Sequence, residues 1–265
     1  MSTNKNVAVC KEERELSYYK FFARGLAPIP QEKLDIANGA PLGPEAGIPF
    51  AEKDRFLIEN GDDAHAGYGE NSDGTAFAAN HTFVPGGTVE MMDWWIPWCG
   101  VGSDLRFKIW DPEDHFFTRS HDIARLTDDR IPMNERLWGT TNTVLEDIGG
   151  GQLLASDIHF MSPAQFGYDT SLVGTDKCQS IVCGGGGPCV LSHKFYACDG
   201  GLMVDSYFWV GYGCDAAYTI RKTDQSRLPA PAVQIAKLLY SHSIREMTNM
   251  AAVLPEVYAE QRGNL

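Results

Sequence analysis

The run QIAKLLYSHSIREMTNMAAVL near the C-terminus constrains the fold more than any other stretch of the chain. Counted from Ile235, the apolar positions Leu238, Leu239, Met250 and Val253 recur at helical spacing, which predicts one long helix that buries a single stripe. His242 and Glu246 fall on that same stripe, one turn apart. A buried carboxylate is costly unless it is paired or coordinated, so the pair requires a partner. Two kinds satisfy it. Glu246 can pair with Arg245, with a lysine or with His242 itself, or the two residues can be half of a metal site.

The rest of the chain must supply a core around such a helix. With 265 residues and 43% hydrophobic content, it has enough for one large core or two modest ones. A net charge of −13, spread along the chain, argues against a nucleic-acid or anionic-membrane surface and leaves small neutral or phenolic ligands open. No apolar run is long enough to span a bilayer, and the start MSTNKNVAVCKEERE lacks the apolar core of a signal peptide. The expected location is therefore cytoplasmic, where the sequon Asn80-His81-Thr82 is idle.

Residues 1–80 read as an irregular N-terminal arm or small cap. They hold one amphipathic helix from about Glu13 to Arg24, followed by a proline-broken stretch and GDDAHAGYGENSDG. Residues 81–265 read as the main domain. It starts with a strand over GTVEM and a tryptophan-rich helical turn, MMDWWIPW, followed by a mixed segment ending in WDPEDH. Strand signals follow at TTNTVLEDI, QLLASDIHFM, SIVCG, VLSHKFYAC and LMVDSYFWVGY, separated by turn residues such as Asp199-Gly200. The long helix begins after Pro231 and is expected to stop at Pro255. This order predicts an α+β helix-grip fold, an antiparallel sheet curved around the C-terminal helix with a ligand cavity between them.

Four of the seven cysteines, Cys178, Cys183, Cys189 and Cys198, surround the glycine run Gly184 to Gly187. They contain no CxxC pair, so reduced thiols fit better than structural zinc, and the glycines read as a hairpin tip. His65, His81, His121 and His159 are assigned to surface or core, and Trp94, Trp95, Trp98 and Trp110 to core and cavity wall.

In a helix-grip fold, His242 and Glu246 point into the cavity. Position suggests two more residues. His115 closes the WDPEDH turn, and Glu146 shares one strand face with Val144; alternation leaves open which face is inside.

The string VEMMDWW followed by LRFKIWDPEDH, a later strand glutamate and HSIREM on the last helix resembles the 2,4-diacetylphloroglucinol and phloretin hydrolase family. The resemblance runs from about Thr88 to Leu254. It implies a Bet v 1-like helix-grip domain and a zinc or similar divalent ion held by His115, Glu146, His242 and Glu246. It also implies hydrolysis of the carbon–carbon bond between an acyl carbonyl and a phenolic ring. The metal would activate water, and a loosened ligand such as Glu146 could serve as base. A small aromatic or phenolic substrate is the expected partner, and a homodimer is left open.

Two positions depart from the family pattern. A tyrosine and an asparagine that contact the acyl group are replaced here by Phe107 and Thr118. Loss of the phenol removes an oxyanion donor, so His193, Tyr207 and Tyr212 are the candidate replacements. The same departures keep open a metal-assisted lyase, isomerase or cyclase step. A non-catalytic carrier of hydrophobic ligands is the third reading.

Overall fold

The computed structural model describes residues 7–59 and 66–265; His65 and the first six residues lie outside them. Eight antiparallel strands form one sheet: β1 (Gly67–Glu70), β2 (Ala76–Pro85), β3 (His115–Ser120), β4 (Thr141–Glu146), β5 (Leu154–Met161), β6 (Ser180–Gly186), β7 (Cys189–Cys198) and β8 (Gly201–Val210). Their order is β1-β2-β8-β7-β6-β5-β4-β3, so β3 to β8 form a meander and the N-terminal hairpin adds to its far side through β2 and β8. The principal helices are α1 (Gln31–Asn38), α2 (Val89–Cys99), α3 (Leu105–Trp110) and α4 (Ala232–Gln261). The fold is the expected α+β helix grip.

Alternation along β8 decides what each face of the sheet carries. Leu202, Val204, Phe208 and Val210 join the cores on the α4 side, while Tyr207 and Trp209 join Ile48, Phe56 and Phe77 on the other. A segment of the N-terminal region thus covers the outer face, and α4 covers the inner one.

Several expectations change. The sheet reaches back before residue 81, because β1 and much of β2 lie in the stretch read as irregular. The sequence AFAANH lacks the β-branched residues that mark strands, yet small side chains suit this place. Ala76 and Ala78 pack in the same core as Ala236 and Tyr240 of α4. GTVEM is not a strand. Thr88 caps α2, its hydroxyl accepting from the Met91 amide at 3.3 Å.

The helix expected over Glu13 to Arg24 is two short turns, Lys11–Arg14 and Tyr19–Phe22. The first of them buries Glu13, which accepts from Lys108 Nζ at 2.8 and 2.9 Å. Pro255 does not end α4. The helix continues to Gln261 because Val257 and Tyr258 still bury apolar surface, which offsets the backbone hydrogen bond that proline cannot donate. Gly184 to Gly186 belong to β6, and the hairpin turns at Gly187-Pro188. A Cβ on Gly186 would collide with the Asp157 carbonyl oxygen, so the glycines admit the neighbouring strand.

All seven cysteines are free thiols. Among the described residues no helix is long and apolar enough to cross a membrane.

Candidate metal centre

The two ligand candidates on strands are 31 residues apart in sequence but are direct partners, His115 on β3 facing Glu146 on β4. Register shifts between His115 and Phe117, which marks a bulge. Strict alternation would turn Thr118 away from the side that carries His115. The extra residue lets His115, Thr118 and Ser120 all be buried. From α4, His242 and Glu246 meet the strand pair as the helical stripe predicts.

The four side chains converge. His115 Nε2 lies 3.3 Å from His242 Nε2, and Glu146 Oε2 lies 3.8 and 3.9 Å from these two nitrogens. Glu246 Oε2 lies 3.7 Å from His115 Nε2 and 3.8 Å from His242 Nε2. Tetrahedral coordination with bonds of about 2.0–2.1 Å separates ligand atoms by about 3.3–3.4 Å, so the observed spacings are close to what a small divalent ion requires. Arg245 is not the partner of Glu246. Its guanidinium goes to the turn before β3, 3.0 Å from Glu113, 3.3 Å from Asp114 and 3.4 Å from Asp111.

The outer nitrogens of both imidazoles face acceptors. His115 Nδ1 is 3.2 Å from the Phe107 carbonyl oxygen, and His242 Nδ1 faces Asp114 Oδ2 at 3.9 Å. A proton on Nδ1 leaves the Nε2 lone pair for a cation, which is how histidine ligands are usually oriented. Two such lone pairs 3.3 Å apart repel unless a proton or metal lies between them.

The electrostatics agree. Burial, together with the facing His242, lowers His115 to about 3. Burial also acts to lower His242, but Glu246, Asp114, Glu146 and Asp111 outweigh it and raise that ring to about 10. Burial raises Glu146, and it raises Glu246 to about 8 despite the attraction of His242. Three buried groups and the partly exposed Glu146 thus crowd together in a site where burial disfavours carboxylate charge. Two carboxylates and two neutral imidazoles would balance a doubly charged ion. The chemistry of the donor set suits one such ion: His115, Glu146 and His242 have ligand atoms all within 4.8 Å of one another, a group that does not include Glu246, whose Oε2 nonetheless lies within 3.8 Å of both imidazoles.

The quartet opens on a cavity of about 110 Å³ with a mostly apolar wall that includes Ile96, Phe107, Trp110, Val144, Phe160 and Phe208. Phe107 and Thr118 are both on that wall. Phe107 stacks flat on His115, with ring centroids 3.9 Å apart and planes 6° from parallel. His193 is also on the wall, with Nδ1 2.9 Å from Ser206 Oγ. Burial lowers this imidazole to about 4, so it is neutral at neutral pH.

Tyr207 and Tyr212 are corrected: neither lines the cavity. Tyr207 points to the outer face, where its hydroxyl accepts from the Ile48 amide at 2.5 Å, and Tyr212 packs against Phe50. Strand alternation separates Tyr207 from its neighbours Ser206 and Phe208. Asn142 lines the cavity and was missed, because a polar residue near the start of a strand gives no signal of facing inward.

The family described as "DAPG hydrolase PhiG domain" matches residues 48–259. A phloretin hydrolase from Eubacterium ramulus is 44% identical over 260 residues, covering 97% of this chain and 94% of the relative. A 2,4-diacetylphloroglucinol hydrolase from a Pseudomonas species is 26% identical over 268 residues, covering 93% and 89%.

Proposed function

This chain belongs to the DAPG hydrolase family, and on that premise we propose that it hydrolyses the carbon–carbon bond between an acyl carbonyl and a phenolic ring. The observation that carries the reading is the convergence of His115, Glu146, His242 and Glu246 on the wall of an aromatic cavity. These four residues would hold a divalent ion, zinc by the donor set. Such an ion supplies Lewis acidity and lowers the pKa of water toward neutrality.

The chain's own side chains do the rest. Phe107 and the bulge before Thr118 hold His115 in place, while Asp114 and the rigid helix α4 orient His242. Trp110, Phe160 and Phe208 give the cavity an apolar aromatic wall for a phenolic ring and keep bulk water from the reacting bond.

The departing ring carbon needs a proton, and the attacking water is its source, relayed by a carboxyl that burial raises, Glu146. With Nδ1 engaged by Ser206 and the imidazole neutral, His193 is left to hydrogen-bond and orient the phenolic ring through Nε2. Glu146 is partly exposed at the cavity, with a raised carboxyl, and could exchange a proton with the attacking water. Since neither Tyr207 nor Tyr212 reaches the cavity, oxyanion stabilisation would come from the divalent ion that the quartet would hold.

The reaction is tested by incubating metal-loaded protein with acylphenols in water enriched in heavy oxygen. Hydrolysis places one labelled oxygen in the released acid. Product without label overturns the proposal in favour of a lyase or cyclase step, and tight binding without turnover favours a carrier.

A further inference from the structure

The second ring nitrogen of His242 belongs to another group of metal-ligating side chains. Asp111, Asp114 and His242 are all buried and have ligand atoms within 4.8 Å of one another. His242 is only 6% exposed, and its Nδ1 makes no hydrogen bond among the described residues, since Asp114 Oδ2 at 3.9 Å is beyond bonding reach. A buried ring nitrogen aimed at carboxylates and bonded to none of them calls for an explanation.

The turn before β3 holds the two acids in place. Asp111 Oδ1 accepts from the Glu113 and Asp114 amides at 3.0 and 3.2 Å, and the Asp111 carbonyl oxygen accepts from the His115 amide at 3.0 Å. The Asp114 carbonyl oxygen in turn accepts from the Asp147 amide at 2.9 Å, which fastens the turn to the end of β4. These backbone bonds do not depend on Arg245. The guanidinium of that residue lies among the acids, 3.4 Å from both oxygens of Asp111, 3.3 Å from Asp114 and 3.0 Å from Glu113. A fork-to-fork pair with one carboxylate would bring these contacts to about 2.7–2.9 Å. Arg245 is therefore shared as a charge among three carboxylates, with one side open to solvent at 25% exposure.

We propose that Arg245 limits the centre to one metal ion: its guanidinium takes the place of a second divalent ion that Asp111, Asp114 and His242 Nδ1 would otherwise hold. The inference rests on the metal reading of the quartet and deepens it. Two carboxylate oxygens and an imidazole nitrogen suit a divalent ion such as zinc. Arginine keeps its proton throughout the working range of a protein, so the place is never vacated. His242 then keeps a proton on Nδ1 and serves the quartet through Nε2 alone, as a neutral ligand. Without the guanidinium the same imidazole would bridge two ions, its Nδ1 proton passing to solvent as the second ion binds.

Metal stoichiometry tests this, in chains stripped by chelator, dialysed against free zinc and analysed for bound metal. The wild type should hold about one ion per chain, Arg245→Met about two, and Arg245→Met combined with Asp111→Asn about one again. Arg245→Lys, which keeps a cation among the acids, should stay near one. An arginine that only braces the fold gives no extra ion when removed. One ion or fewer in an Arg245→Met chain that circular dichroism shows to be folded therefore overturns the inference. If that variant does not fold, nitrogen NMR of the wild type with labelled histidine decides. The proton on His242 Nδ1 should persist through excess zinc, and its loss on a second equivalent overturns the inference. Should the wild type bind no zinc, the quartet reading fails on its own, while an ion gained in Arg245→Met and lost again with Asp111→Asn would still support the role of Arg245.

Discussion

Phe107 holds His115 in two ways at once: its ring lies 3.9 Å from the imidazole and 6° from parallel, and its carbonyl oxygen faces His115 Nδ1 at 3.2 Å. The backbone contact survives any substitution, whereas the stacking does not. Phe107→Ala should weaken metal binding by roughly 10- to 100-fold, as loss of a ligand's supporting contacts commonly does. Phe107→Tyr should keep the metal and change the order in which acylphenols are preferred, since it adds a hydroxyl to the cavity wall. Competition with a coloured chelator checks the first, and kcat/KM over a substrate panel the second. An unchanged affinity for Phe107→Ala would show that the carbonyl alone suffices.

His242→Ala should abolish metal binding and activity together. It leaves Glu246 buried beside a neutral cavity, so it should also destabilise the apoprotein by about 3–5 kcal/mol. Glu246→Gln combined with His242→Ala should recover much of that loss without restoring the metal. Urea unfolding of chelated protein measures both. Equal stabilities of the single and double variants would contradict the account.

Asn249 ties α4 to the end of α3 and to the N-terminal arm. Its Nδ2 donates to the Ile109 and Trp110 carbonyls at 2.8 and 3.2 Å, and its Oδ1 accepts from the Ala27 amide at 2.9 Å. Asn249→Ala would orphan these groups and should cost about 2–4 kcal/mol of stability. A loss under 1 kcal/mol in denaturant unfolding would mean that the neighbouring backbone finds other partners.

Asp93 gives a pH dependence away from the metal centre. Burial raises its carboxyl from 3.8 to about 6 against the hydrogen bond from Ser180 Oγ at 2.6 Å. The folded state therefore holds the proton more tightly than the unfolded one. The stability this provides is complete below about pH 3.8 and is lost as pH rises through about 6. Asp93→Asn should match the wild type near pH 4 and exceed it by about 3 kcal/mol at pH 7. A constant difference between pH 4 and 7 would contradict the assignment.

The site was legible where chemistry broke a pattern. His242 and Glu246 stood out because polar groups interrupted an apolar helical stripe, and the run from β4 to β8 was legible from turn residues between apolar strands. Pro255 misled because tertiary burial of Val257 and Tyr258 overrides a local helix breaker. The strand β2 was missed because the alanines that let α4 approach the sheet carry no strand signal. Tyr207 was misplaced because a strand read without its register does not say which face is inside. Asn142 was missed for the same reason. The buried asparagine of the sequon, Asn80, is explained by structure: it is 1% exposed and donates to Ser243 on α4, so the folded chain cannot present it for glycosylation.

The central claim is that His115, Glu146, His242 and Glu246 together hold one divalent ion on which carbon–carbon hydrolysis depends. Titrating chelator-stripped protein with zinc while following acid release from an acylphenol tests it most directly. The account predicts activity that rises linearly to one equivalent per chain and then levels, with no such rise in Glu246→Gln or His115→Ala. Full activity in the stripped protein, or an unchanged titration in those variants, would contradict it.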